Sequence, residues 1–463
     1  MLVANIVTCA CSSIFVIICA RYLGNVRYGV FGFAISFTSL LAIFGNLGWN
    51  TFAIRETAKD PEKTNRLLAN IIFLRVGIGS LAFLITCVLV NLLNYPHQKI
   101  ILVYIFGANM FLVTLGLSFR WVFEAYEKFE YESFLRILSA VLLLGLGIFV
   151  VVNGMGLVAL ALSNLCASAI VCGIGYFAFL RKLLRPRIRL DFGFCKHLIR
   201  ETIPFSLNFI FFSIYLNLDV VLLSSIRGNA ETGWYSAASK LAIMAKTATN
   251  LYIPVVFPVL SKFFVSSLAK FRKLLDRSFV YLLMIGLGIA TLTTVYADQI
   301  VLLIFGSSFA QSASPLRILI WAAFLVFLNG ISGGALVSAG HQKLCTKITG
   351  IGLAINVCLN LLLIPNLGKI GASLSILATE LVVTVLVLYW QYKILEYRPS
   401  SKLVLKILAS ALTVVPFAWW LRQTNLLLGL ALCIIVYGML LLSTGAISKE
   451  DKLKIREMVV RTA

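Results

Sequence analysis

Charge inside the long apolar stretches of this 463-residue chain stands out at Arg75, Lys240, Lys246 and Arg317, with Asp219 and Glu380 as acidic counterparts. A charge at the bilayer centre costs about 2.5–3.5 kcal/mol on insertion scales, so such residues face a cavity, a partner or the membrane edge. Cations outnumber carboxylates here, which suits an anionic ligand such as a lipid pyrophosphate. Asp219 and Glu380 can bind a cation or a proton, and they are the candidates for ion coupling. Catalytic chemistry is not indicated: there is no Walker A pattern, H-E-x-x-H, G-x-S-x-G or D-x-D. No enzyme activity, cofactor or metal is therefore expected, and any energy source must be an ion gradient or removal of product.

Each charge has a plainer reading beside the functional one. Arg75 and Arg317 lie near the ends of their stretches and can equally snorkel to the membrane edge. Lys240 and Lys246 are six residues apart and do not share a helix face, so one can line a cavity while the other pairs with a neighbour. Asp219 is deep in its stretch and is expected in a cavity or an ion pair, with Lys240 as a partner to test. Polar stripes accompany the charges: Gly32, Ser39, Asn46 and Asn50; Asn208, Tyr215 and Asp219; Asn356 and Asn360. Helix packing through small and amide residues is the alternative reading of these stripes.

Fourteen apolar stretches must carry these residues. They run Leu2–Ala20, Tyr28–Phe52, Ala69–Leu93, Ile101–Phe119, Phe134–Val152, Leu157–Phe179 and Thr202–Ser225. They continue at Gly233–Phe257, Phe279–Ala297, Pro315–Ala339, Ile348–Ile364, Ile370–Tyr389, Leu403–Trp420 and Leu426–Thr444. Each approaches the ~20 residues that cross a bilayer as a helix. Connections after even-numbered stretches, with the tail and with Arg136 and Lys406 at the starts of the stretches that follow, hold thirty of the 40 Lys and Arg; those after odd ones hold Arg21, Arg27, Lys99, Arg227, Lys369 and Arg422. The positive-inside rule then places both termini in the cytoplasm of a cell that carries the protein in its inner (cytoplasmic) membrane. The first stretch starts almost at Met1, so a further turn of helix is expected before the given start. It lacks a basic beginning and a good cleavage site, and reads as a span and not a leader.

A mean hydropathy of +0.97 and 60% hydrophobic residues exclude a soluble domain. The net charge of +22 belongs mainly to the basic collars of the spans, with anionic membrane lipid as partner; nucleic acid is not expected. The ten cysteines lie mostly in apolar stretches without a C-x2-C, so neither metal nor disulfide is expected.

The basic linker at 181–200 divides an N-terminal six-helix lobe (1–180) from a C-terminal six-helix lobe (201–393). Two added helices and a basic tail, with a surface helix expected over Ser448–Val460, complete the chain (394–463). A faint repeat crosses the linker: Gly24-Asn25, Gly29, Phe31 and Ala34 recur as Gly228-Asn229, Gly233, Tyr235 and Ala238 with the same spacing. Repeats in transporters commonly place the substrate between the two bundles. No extracytoplasmic loop is large enough to house polymerase or ligase chemistry.

Several motifs resemble the polysaccharide-transporter (Wzx-type O-antigen flippase) family of the multidrug/oligosaccharidyl-lipid/polysaccharide (MOP) exporter superfamily. They are Ala20-Arg21-Tyr22-Leu23-Gly24 with Tyr28-Gly29-Val30-Phe31, then Asn46-Leu47-Gly48 and Ile54-Arg55-Glu56. Further on come Leu216-Asn217-Leu218-Asp219, Gly233-Trp234-Tyr235-Ser236-Ala237-Ala238-Ser239-Lys240 and Asn356-Val357-Cys358-Leu359-Asn360-Leu361-Leu362-Leu363-Ile364-Pro365. The resemblance implies an all-α fold of two pseudo-symmetric six-helix bundles plus two helices. It implies a cationic cavity that carries an undecaprenyl-pyrophosphate-linked oligosaccharide from the cytoplasmic to the outer leaflet by alternating access. Arg21, Arg55, Asp219 and Lys240 match family motif positions; with Lys246 and Arg317 they form the expected substrate-binding set. Asn46 stands where the family commonly has Asp, which removes the carboxylate that ion coupling at that position would need. Polysaccharide polymerase or chain-length machinery is an expected partner. The alternatives are an ion-coupled small-molecule exporter of the same superfamily and a lipid II flippase.

Overall fold

The structure, a computed structural model, describes residues 2–45, 48–182 and 190–446. Side chains at 2, 182, 203–205, 207, 208, 212, 248, 250 and 251 lie outside the description, as do Asn46, most of the basic linker and the expected tail helix.

Thirteen α-helices make up the described chain: α1 Leu2–Ala42, α2 Trp49–Lys59, α3 Thr64–Leu92, α4 His97–Ala125, α5 Phe129–Val152, α6 Gly156–Lys182 and α7 Phe192–Ile226. The rest are α8 Asn229–Ser266, α9 Leu268–Phe305, α10 Ala313–Ser338, α11 Gln342–Leu395, α12 Ser401–Leu421 and α13 Leu426–Ser443. No strand forms among the described residues. In a hydrocarbon solvent the backbone must satisfy its own hydrogen bonds, and the helix does so within one segment.

Among the described residues, eleven helices are long and apolar enough to cross a membrane, or twelve when the two halves of α8 are taken as one span. The sequence suggests fourteen separate spans, and the difference has a backbone origin. Two pairs of apolar stretches are joined into single long helices, each broken at a glycine, although the second stretch leaves α1 at Ala42 and its last residues, Trp49–Phe52, belong to α2. Gly24 (φ 68°) interrupts the 41-residue α1, and Gly368 (φ 53°) interrupts the 54-residue α11. Glycine has no Cβ to oppose positive φ, so each helix turns there and resumes. The bend of 43° in α8 falls between Thr247 and Tyr252. Pro254 follows it and withholds the N–H that would close the turn below.

The chain forms two compact units. The first is Met1–Ser236 with Asn360–Lys369; the second is Ala237–Leu359 with Ile370–Ala463. In the first, α1 packs on α4, α5 and α7, and α4 on α3 and α6. Its core at one end is aromatic, built on the buried Trp49, Trp121, Phe123 and Phe179. Short polar contacts hold the segment Asn360–Lys369 in this unit. Arg227 donates to the Asn366 carbonyl at 2.9 Å, the Lys369 N–H donates to the Glu231 carboxylate at 2.8 Å, and the Lys369 ammonium lies 4.6 Å from the Trp234 ring centre. In the second unit, α9 is the central helix, packed by α10, α12 and α13.

Outward faces are apolar. Leu81, Leu84 and Val88 on α3, and Leu412 and Trp419 on α12, are exposed at helical spacing. That is the surface a multi-pass membrane protein presents to lipid.

Candidate functional site

Asp219 is a buried carboxylate of the first unit, at 1% exposure. It lies in the last third of α7, and two neutral groups donate to it. The Tyr235 hydroxyl, from the start of α8, reaches one carboxylate oxygen at 3.0 Å. The Asn360 amide, from α11, reaches the other at 2.5 Å. Burial of an anion requires such donors. A carboxylate held by neutral donors can take up a proton or a small cation. Lys240, the partner suggested by the sequence, falls in the other unit.

Arg75 does not snorkel. It is fully buried beneath the aromatic end of the first unit, donating to Ser118 at 2.7 Å and Asn50 at 2.6 Å, with Trp49 beside it. Asn50, which the sequence places in a cavity stripe, is thereby engaged in holding a cation. Arg21 and Arg55 lie on the surface of this unit. Arg55 pairs loosely with Glu56 at 3.3 Å and rests against Phe52.

The second unit gathers the remaining candidates into two groups. On α8, Lys246 interacts electrostatically with Glu380 of α11, and Glu380 accepts a hydrogen bond from Asn329 of α10 at 2.9 Å. Lys240 lies two turns earlier, partly buried, and no carboxylate pairs with it among the described residues. The second group is an ion triad. Arg317 meets Asp298 of α9 at 2.6 Å, and Arg422, just past α12, reaches the same carboxylate oxygen.

Two charged constellations are not visible from the sequence. Glu132, at 1% exposure, is bracketed by Arg120 at 2.5 Å and Arg136 at 2.6 Å, and Arg136 also donates to Asn5. Lys99, which the apolar windows place in a connecting loop, is buried in the first turn of α4. A lone lysine in an otherwise lysine-poor connection is the available signal. Among the described residues no group of three or more His, Cys, Asp or Glu is arranged to hold a metal.

The sequence profile of a family described as "Polysaccharide biosynthesis protein" matches residues 1–264. A protein of Escherichia coli (strain K12), named provisionally an O-antigen transporter, is 24% identical over 80% of this chain and 89% of its own length. Among solved structures, the inward closed conformation of the lipid II flippase MurJ superposes with a TM-score of 0.81 at 13% identity, covering 99% of each chain. The inward-facing form of a multidrug-resistance MATE transporter of the MOP superfamily gives 0.71 at 15% identity, over 84% of this chain and 94% of that one. At such identities the structural likeness establishes the fold. The profile match spans more than half of the sequence, and the chain belongs to the polysaccharide biosynthesis protein family, built on the all-helical MOP-superfamily fold.

Proposed function

We propose that this protein is a flippase. It moves an undecaprenyl-pyrophosphate-linked oligosaccharide from the cytoplasmic to the outer leaflet for polysaccharide or O-antigen synthesis, by alternating access. The family match supports the transport class, as does the E. coli relative named for O-antigen transport. The observation that carries the anionic cargo is Lys240, a partly buried cation inside a helix with no carboxylate pairing with it among the described residues. Such a charge is costly in a membrane unless a ligand or a cavity meets it. In this reading Arg21, Arg55, Lys240 and Lys246 attract the pyrophosphate, and Asp219 and Glu380 are the ion-coupling carboxylates. Arg317 belongs to the binding set expected from the sequence, but in this reading its ion pair with Asp298 gives it a structural role.

The reading includes fourteen spans in two six-helix lobes with two added helices, both termini in the cytoplasm, and a place in the cytoplasmic membrane. The break of α1 at Gly24 and of α11 at Gly368 supports that number, since each long helix then supplies two spans. A polysaccharide polymerase would receive the flipped product.

Flipping in proteoliposomes tests it, with a labelled polyprenyl-pyrophosphate glycan and an impermeant reagent for sugar exposure. Protein-dependent exposure that is lost in Lys240→Ala is the expected result; no exposure with several glycans, from folded protein, overturns it. The likeness to MurJ over 99% of both chains favours lipid II as the second cargo to try in the same assay. The MATE likeness makes small-molecule export the third reading, which a drug-resistance assay on expressing cells separates from the first two.

A further inference from the structure

Lys99 is a buried cation outside the binding set proposed above. It is 4% exposed, in the first turn of α4. Among the described residues, everything that holds it is neutral. Its ammonium donates to the Ser224 hydroxyl at 2.8 Å and lies 4.5 Å from the ring centre of Phe33 and 5.2 Å from that of Tyr95. The Tyr95 and Ser225 hydroxyls are hydrogen-bonded at 2.6 Å. Among the described residues no carboxylate pairs with Lys99. Four pieces of the first unit therefore meet at this ammonium: α1 through Phe33, the turn before α4 through Tyr95, α4 itself, and the last turn of α7 through Ser224.

The chemistry of those partners decides what the contact does. A cation closed against a carboxylate in a dry interior resists separation, because parting strands two charges. A cation closed against a hydroxyl and two ring faces has exchanged a full hydration shell for weaker neutral partners. Parting them returns the ammonium to water and strands nothing. We infer that Lys99 biases the end of α7 away from α1 and α4: closure there dehydrates the ammonium, and opening rehydrates it. The lysine sets how often this end opens, and the rings and Ser224 limit the cost of closure. Under the orientation proposed above, on which only the direction rests, this is the extracytoplasmic end, where cargo leaves.

Hydrogen–deuterium exchange on the full-length protein in lipid nanodiscs tests the bias without any cargo, so failure of the flippase reading leaves the result interpretable. Lys99→Met keeps the volume and the contact with both rings but has nothing to hydrate. Amide exchange in the first turns of α4 and the last turn of α7 should slow about tenfold in this variant, with the opposite end of α3 unchanged. Unchanged or faster exchange, or equal slowing throughout, overturns the inference. Phe33→Leu removes one ring face and should speed exchange at the same two places, and less so when combined with Lys99→Met. Equal acceleration with and without the lysine would show that Phe33 acts through packing alone and would equally overturn it.

Discussion

Gly29 and Gly233 press backbone on backbone in a reciprocal pair. A methyl group on Gly29 would lie 1.9 Å from the Asn229 carbonyl oxygen, and one on Gly233 would lie 1.9 Å from the Asn25 carbonyl oxygen. Each residue is the repeat counterpart of the other, as Asn25 is of Asn229. The faint sequence repeat thus marks a place where two helices cross about a local two-fold. Gly29→Ala and Gly233→Ala should each destabilise the protein by about 3 kcal/mol, since a carbonyl of the crossing helix cannot move aside. Gly32→Ala is the control. Its methyl would meet the Ser236 hydroxyl oxygen at 2.8 Å, and that side chain can rotate. Thermal unfolding in detergent checks the order; equal losses in all three would remove the crossing from consideration.

Asp219 separates charge from packing. Asp219→Asn keeps the shape but turns an NH2 group towards Tyr235 or Asn360, both donors to the native carboxylate. It should abolish dependence of transport on an imposed proton or sodium gradient. Tyr235→Phe removes one donor and keeps the charge, at a cost of about 1.5–3 kcal/mol for a hydrogen bond to a buried anion. It should lower the melting temperature yet retain gradient dependence. Gradient-driven uptake in proteoliposomes measures the first and thermal unfolding the second. Retained gradient dependence in Asp219→Asn would exclude Asp219 as the coupling group.

Asp298 sits between Arg317 and Arg422, and all three are partly open to water. Asp298→Asn leaves two guanidinium groups facing each other, and should destabilise by about 1 kcal/mol for each ion pair it removes. The effect should shrink in high salt, because partly exposed charges are screened. Adding Arg317→Met should restore much of the stability while leaving transport intact. A transport defect in Arg317→Met with normal stability would return this arginine to the cargo site.

Apolar windows in the sequence mark out most of the helices, because a bilayer demands about 20 apolar residues per span. The same windows explain what the sequence hides. A window stops where a charge begins, so Lys99, just before the expected start at Ile101, counts with the loops, although α4 begins at His97. Asp298, one residue past the expected end at Ala297, drops out in the same way, although α9 runs on to Phe305. Helical periodicity points to Asp219 and to Asn360, but it gives a face and not a partner. That Asn360 meets Asp219 depends on helices far apart in the chain, and that Tyr235 meets it depends on how α8 folds back against α7. The glycine breaks are visible in the sequence as Gly24 and Gly368, yet nothing local distinguishes them from glycines inside continuous helices.

Asp191 ties the end of the basic linker to α3, and acid should release it. Its carboxylate caps α7 by accepting the Phe194 N–H at 2.9 Å and takes the Arg66 guanidinium at 2.5 Å. These donors, the backbone N–H first, hold its pKa below the ordinary value of 3.8. A carboxyl lowered by folding contributes its stability in the charged form. The contribution is therefore complete above pH 3.8 and disappears as the pH falls through the lower folded value. Asp191→Asn keeps a capping oxygen but has no charge to offer Arg66. The melting temperatures of wild type and variant should differ at neutral pH and converge as the pH drops below 3.8. A constant difference across that range would mean that the Asp191 charge adds nothing to the folded state beyond the cap.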